Sequence, residues 1–247
     1  MGSEMCIRDS DYITNHPVDD TDLLGFSFKS LLYRQPFEVL KYLFTRKGQM
    51  TSTVAEAGGF IKTDESLEIP DIKLHFLLAK IIDQGRTIAF GHGLGCHVCL
   101  LRPKSTGEVT LNSNDAFDSP KIDPKFFSER EDMDIMIKGY RKMMQIMDAE
   151  PLRPFTRKVQ DPVDINSDAD IEEAMRARAD TVYHPVGTCK MGSDDMSVVN
   201  HELKVHALDN VRVVDASIMP TLVGGNTNAP TIMIGEKAAD MIKQAWS

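Results

Sequence analysis

Residues 211–242, VRVVDASIMPTLVGGNTNAPTIMIGEKAADMI, constrain this chain more than any other stretch. Val211, Val213 and Val214 are β-branched and run into Asp215, which predicts a strand with a carboxylate at its carboxyl end. Met219-Pro220 ends that strand, and Gly224-Gly225 allows a tight turn. A helix is predicted from Asn228, with Pro230 in its first turn and Gly235, Ala238 and Ala239 as small packing positions. The amides of Asn226 and Asn228 therefore stand just before or at a helix N-terminus. Unpaired N–H groups and partial positive charge there suit a ligand that is, or becomes, anionic. A well-capped αβ edge with no ligand gives the same pattern.

The chain has 247 residues, enough for one large or two modest domains. Its net charge of −9 argues against a general binder of nucleic acid or membrane surfaces, both of which favour an excess of Lys and Arg. No apolar run approaches the roughly 18 residues that span a bilayer, and no segment has a signal-peptide pattern. The four cysteines, Cys6, Cys96, Cys99 and Cys189, are too few for a disulfide scaffold and fit a reducing compartment. The first ten residues, MGSEMCIRDS, do not share the pattern that follows. They read as a cloning scar or sequencing-adapter read-through, which would make Cys6 non-native and the rest a C-terminal piece of a longer chain.

Along the chain, Asp11 to Val18 reads as a short strand and Phe26 to Arg46 as a helix interrupted at Pro36, with Gly48 beyond its end. Ala55 to Lys62 and Ile72 to Leu78 read as strands. Cys96 to Arg102 and Glu108 to Leu111 read as a hairpin joined across Pro103 to Gly107. Strands joined by loops predict a largely antiparallel sheet rather than repeated βαβ units. A long amphipathic helix follows, with Ser128 and Glu131 as a capping box and Met133, Met136, Ile137, Tyr140, Met144 and Met147 on one face. That methionine stripe reads as core. Asp170 and Glu173 open a shorter helix that ends near Arg178.

Several familiar patterns fail on their context. Cys96-His97-Val98-Cys99 lies in β-type sequence, where residues three apart face opposite sides, so it reads as two buried strand cysteines rather than a redox or zinc motif. Gly91, Gly93 and Gly95 give GxGxG and lead into a strand, whereas a dinucleotide loop needs GxGxxG and a helix. His16, His75, His92, His97, His201 and His206 have no partner that sequence can place. His184 stands apart, because Pro185 and Gly187 hold it in a loop just past a helix. An imidazole there can project into a cleft and accept a proton near neutrality.

HPVGTCKMG (184–192), VRVVDASIMP (211–220) and GGNTNAPTIMIGEKAADMI (224–242) together resemble the C-terminal signature of the glucose–methanol–choline (GMC) oxidoreductases. GQMTSTVAEAGGF (48–60) and CHVCLLRPKSTGEVTLNS (96–113) resemble the choline-dehydrogenase-like and alcohol-dehydrogenase branch. The likeness covers essentially all of residues 11–247. It implies an α/β (α+β) fold, part of a doubly wound FAD-binding domain joined to a substrate domain with a mainly antiparallel sheet and flanking helices. Residues 11–178 would be mostly the substrate domain. Residues 179–247 would carry the catalytic loop and the C-terminal part of the FAD domain.

The same resemblance implies oxidation of a primary alcohol, choline-like or aliphatic, by hydride transfer to flavin N5. His184 matches the family's base and Asn226 its second active-site position, where an amide can support a developing alkoxide. Asp215 and Ala216 match contacts to the ribityl–pyrophosphate region of FAD. Thr227 and Asn228, with Asn226, match positions around the flavin ring. The implied partners are an alcohol and an electron acceptor such as a quinone, in a cytoplasmic protein or one held peripherally at the inner membrane. The family's N-terminal βαβ unit with GxGxxG is absent from these residues, so alone they are expected to bind FAD poorly and not to turn over. A hydroxynitrile lyase of the same fold and an inactive fragment are the alternatives.

Overall fold

The computed structural model describes residues 3–5, 10–18, 25–26, 30–82, 90–156 and 158–246. The chain divides into two compact units, one of residues 11–99 and 134–180, the other of residues 1–10, 100–133 and 181–247.

In the first unit, strand β2 (Ser10–Val18) lies antiparallel to the long strand β6 (Gly91–Leu100), with Asp11 opposite Cys99 and Val18 opposite His92. The two-residue β3 (Gly25–Phe26) pairs with the same strand. Helix α1 (Gln35–Thr45) is preceded by a π-helical turn at Ser30–Arg34. The sequence predicts this helix from Phe26, but Phe26 pairs as a strand and Pro36 sits in the first turn, where its missing N–H costs nothing. The left-handed end residue is Arg46, not Gly48. Strands β4 (Ala57–Ile61) and β5 (Ile72–Leu77) pair antiparallel from Ala57 opposite Phe76 to Ile61 opposite Ile72. With β6 (Gly91–Leu100) they complete a sheet in the order β4-β5-β6-β2-β9, β9 being the short strand Asp180–Thr181.

Gly93 in β6 is glycine for packing, since a Cβ there would lie 2.8 Å from the His16 carbonyl oxygen. The GxGxG run is thus a strand in close contact with its neighbours. Cys96 and Cys99 are buried in that strand as free thiols, and burial first, then the nearby Asp11, pushes the Cys96 thiol up to about 12. A thiol so protonated is neither a nucleophile nor a ready metal ligand. His97, which sequence left unpartnered, is paired through Nδ1 with the buried Asp11 carboxylate.

Helix α2 (Arg130–Met147) packs on this sheet. Its Tyr140 meets Tyr12 of β2 edge to face at 5.7 Å, and a Cβ at Gly139 would sit 2.9 Å from Ile72 Cδ1 and 3.2 Å from Val98 Cγ2. The predicted methionine stripe is core, with Met133, Met136, Ile137, Tyr140 and Met147 buried. Met143 is fully buried, while Met144 is half-buried. Helix α3 (Asp168–Arg178) ends where sequence places its end, but Ser167 caps it, accepting from the Asp170 N–H. Arg178 lies over the Tyr12 ring and pairs with Asp161 at 2.9 Å.

In the second unit the predicted hairpin across 103–107 does not form. β7 (Gly107–Thr110) pairs with β8 (Lys121–Asp123) and with β1 (Ser3–Met5), not with β6. The cause is the Asp132 carboxylate, which accepts from the N–H groups of Lys104 (2.9 Å) and Ser105 (2.7 Å) and so fixes the connection away from a two-strand turn. Ser105 Oγ in turn accepts from the Glu129 N–H, while Glu131 pairs with Lys104 Nζ instead of closing a box with Ser128. β1 lies within the ten residues that sequence sets aside, with Ser3 opposite Val109.

The C-terminal part of this unit carries helix α4 (Asn228–Trp246), which starts where predicted. The expected strand at 211–214 is absent. Only Arg212 bridges, to Lys204, and Val211 and Val214 are exposed while Val213 packs inward. β-branched residues favour a strand when neighbouring strands can pack on them, and here a single bridge is their only ladder contact among the described residues. Asp215 instead caps a 3₁₀ turn at Ala216–Ile218, accepting from the Ser217 N–H at 2.7 Å. Val186, Val199, Leu203, Ile218, Met219, Leu222, Ile234 and Ala238 form the apolar core of this part.

Candidate active site

His184 is carried by a loop that has little freedom. Two residues on, Val186 is anchored in the apolar core. Cys189 N–H donates to Ser217 O (3.0 Å) and Met191 N–H to Ile218 O (2.8 Å), tying 184–192 to the 3₁₀ turn. Tyr183 has a left-handed backbone (φ 66°), and Gly187 another (φ 89°). A tyrosine in that region costs energy that only the surroundings can hold in place, a pattern concentrated at functional sites.

The His184 ring lies between two consecutive residues at the head of α4. Its Nε2 is 2.7 Å from Asn226 Nδ2 and its Nδ1 is 2.9 Å from Thr227 Oγ1. An amide nitrogen only donates, so Nε2 accepts, and the neutral ring carries its proton on Nδ1 and donates it to the Thr227 oxygen. Thr227 is 7% exposed, and its carbonyl accepts from Thr231 N–H (3.0 Å) and Thr231 Oγ (2.6 Å) in the first turn of α4. Helix, threonine and imidazole are thereby one connected set. Asn226 and Asn228 are exposed, so the basic nitrogen and the amide both face an open surface.

The structure brings His184, Asn226 and Thr227 together. It places Asn228 at the first position of α4, Ala216 in the 3₁₀ turn and Asp215 at that turn's cap. The resemblance places Thr227 near the flavin ring, and the structure shows its hydroxyl on the imidazole. A threonine next to the matched amide was the only signal for it. The strained Tyr183 left no mark in the sequence.

The donor set suits a flavin. Amide donors at a helix N-terminus favour negative charge, and Ile232, one turn along from Asn228, is more than half exposed as an apolar surface for a ring system. Among the described residues no group of His, Cys, Asp or Glu is placed to hold a metal ion.

The family model for GMC oxidoreductase matches residues 103–235, and the chain belongs to the GMC oxidoreductase family, as part of its C-terminal domain. It is 47% identical over 220 residues to the alcohol dehydrogenase [acceptor] of Pseudomonas putida, covering 89% of this chain and 40% of that one. It is 41% identical over 212 residues to the oxygen-dependent choline dehydrogenase of Cronobacter sakazakii, covering 85% and 38%. Among solved structures, the formate oxidase of Aspergillus oryzae superposes with TM-score 0.83 at 27% identity, covering 96% of this chain and 46% of that one. The chain therefore spans less than half the length of these relatives. The mixed α/β fold with its mainly antiparallel sheet and flanking helices is that of the family.

Proposed function

We propose that these residues form the proton-accepting side of the active site of an FAD-dependent alcohol dehydrogenase. The observation that carries this reading is the placement of His184 between Asn226 and Thr227, with the basic nitrogen turned to the amide. FAD, when bound, supplies the acceptor for the carbinol hydride. Everything else falls to side chains named above.

An alcohol oxygen about 2.8 Å from each of two nitrogens, an ordinary hydrogen-bond length, forms a nearly equilateral triangle when those nitrogens are 2.7 Å apart. Because Nε2 has a single acceptor lone pair, the substrate hydroxyl takes the place of the Asn226 N–H on it, and the released N–H turns to donate to the substrate oxygen. As the proton moves to Nε2, negative charge grows on the oxygen, which the released Asn226 amide then supports. The Nδ1–H to Thr227 bond holds the ring plane and keeps the Nε2 lone pair available until the substrate proton arrives. Asn228 and the α4 N-terminus would support charge on the reduced cofactor, and Asp215 with Ala216 would lie against its ribityl–pyrophosphate region. Residues 11–178 would mostly line the substrate side. The electron acceptor would be a quinone or similar molecule, and the alcohol primary.

The test is anaerobic reduction of bound FAD by a primary alcohol in a full-length protein containing these residues. His184→Ala should slow the reduction by roughly 10²–10⁴-fold, the worth of a positioned base. A near wild-type rate would remove His184 from the role. Substrate cleavage with the flavin staying oxidised would replace the dehydrogenase by a lyase.

A further inference from the structure

The sheet of the first unit carries a second cluster of titratable side chains. Tyr12 of β2 meets Tyr140 of α2, and Ile72 and Val98 pack at Gly139 of the same helix. Side chains alternate along a strand, so the residues beside these three point to the opposite face. There Asp11, His97, Cys99, His75 and Lys73 stand together. Asp11 is completely buried and uses both oxygens: Oδ2 pairs with His97 Nδ1, and Oδ1 accepts from Cys99 Sγ at 3.2 Å. The His75 ring on β5 lies 6.3 Å from the His97 ring. Lys73, two residues earlier on β5, holds its ammonium 5.5 Å from the ring of Phe60, its register partner on β4. Burial lowers the Lys73 pKa, against the opposing effect of Cys99.

A carboxylate only accepts, so His97 Nδ1 carries a proton and donates it to Asp11. The other ring nitrogen, Nε2, has no hydrogen-bond partner among the described residues, in a residue only 8% exposed. A polar atom so enclosed costs free energy until a hydrogen-bonding group meets it. The surrounding charge favours an anion. Both Asp11 oxygens are engaged by β6, whereas Lys73 brings an ammonium and His75 a second imidazole, both half-buried, in a chain with a net charge of −9. Gly58 stands opposite His75 on β4 and brings no side chain to that ring. We propose that this face binds a small carboxylate, with Lys73 Nζ and His97 Nε2 on its oxygens, His75 beside them and Phe60 against its apolar part. Nε2 can meet a carboxylate only as an N–H, so the bound His97 is an imidazolium between the ligand and Asp11. The residues named all belong to the first unit, and the site is independent of the chemistry at His184.

The experiment is an NMR titration of the purified 247-residue chain, labelled in its histidine rings, with benzoate as the probe. Benzyl alcohol and benzyltrimethylammonium carry the same ring without charge and with the opposite charge. Benzoate should move the His75 and His97 signals to saturation and leave His184 in place, and bound His97 should show both ring nitrogens protonated. The other two compounds should leave these signals unmoved. Lys73→Met should weaken benzoate by roughly ten-fold or more, as loss of a hydrogen bond to a charged group does, and Lys73→Arg should restore most of the affinity. Phe60→Ala should weaken it as well. Lys73 and Phe60 are not buried, so circular dichroism and thermal unfolding should show both variants folded. Absence of saturation, equal binding of benzyl alcohol, or wild-type affinity in Lys73→Met overturns the proposal. So does a bound state in which His97 Nε2 stays pyridine-type, or shifts confined to His184, which would place the ligand elsewhere. Loss of benzoate binding when the chain is extended to the length of its relatives would assign the face to the added residues, and would overturn it too.

Discussion

Replacing Thr227 by valine removes one oxygen and keeps the volume, so its effect on His184 can be worked out in isolation. In the wild type the imidazole Nδ1–H donates to Thr227 Oγ1 at 2.9 Å, and the Nε2 lone pair faces Asn226. Valine takes away the Thr227 acceptor of that proton at a position only 7% exposed. Losing a net hydrogen bond costs about 0.5–1.5 kcal/mol, which is roughly a two- to twelve-fold change in the ratio of the two ring tautomers. His184 is half-buried, so water can compensate in part and the lower half of that range is expected. The direct assay is nitrogen NMR of the His184 ring at neutral pH. Wild type and Thr227→Ser should show a pyrrole-type Nδ1 and a pyridine-type Nε2, and Thr227→Val should show the two averaging together. In the full-length enzyme, kcat should fall by no more than that factor with KM little changed, because only the population of the competent base has changed. An unaltered ring spectrum in Thr227→Val would refute the claim that threonine sets the tautomer.

Asn226→Ala should lower kcat by roughly 10²–10³-fold, as loss of one oxyanion donor does, with stopped-flow flavin reduction as the measurement. Gly139→Ala puts a methyl group 2.9 Å from Ile72 Cδ1, and overpacking of about 1–3 kcal/mol should exceed the helix-propensity gain of up to about 1 kcal/mol, lowering the urea midpoint at constant m. His16 is buried, and among the described residues neither ring nitrogen has a partner in hydrogen-bond geometry; burial lowers its pKa, while the nearby backbone of Thr156 and Lys158 opposes the shift. A histidine held neutral in the fold binds its proton first in the unfolded chain, so its contribution to stability begins to fall at about pH 6.5, the unfolded value, and is lost as pH drops through the lower folded value. His16→Phe should flatten that part of the stability profile in denaturant titrations.

The regular elements that were legible in sequence were those whose pattern is set by local chemistry. The α2 stripe, the start of α4 and the end of α3 follow from periodicity and end signals. The elements misread depend on distant residues. Glu108 to Leu111 has a strand composition, but its partners are decided by Asp132 holding the preceding amides. Val211 to Val214 has the composition of a strand and, with one bridge, does not become one. In α1 the apolar residues that announced a helix also announced a buried face, and the face is exposed. At the site, His184 was distinguished by its loop and Asn226 by the family signature, but the grip of Thr227 on Nδ1 needed coordinates, because it joins positions 43 residues apart.

Asp132 has a consequence for which parts of this chain can change length. Loops ordinarily absorb insertions because nothing downstream depends on their spacing. The segment between β6 and β7 is an exception, since two successive amides must both reach one buried carboxylate and the next hydroxyl must reach Glu129. One added residue there would leave the buried Asp132 carboxyl short of donors, whereas the exposed run from 111 to 120 offers no such penalty. Length variation among proteins sharing this architecture should therefore accumulate after β7 and be excluded before it.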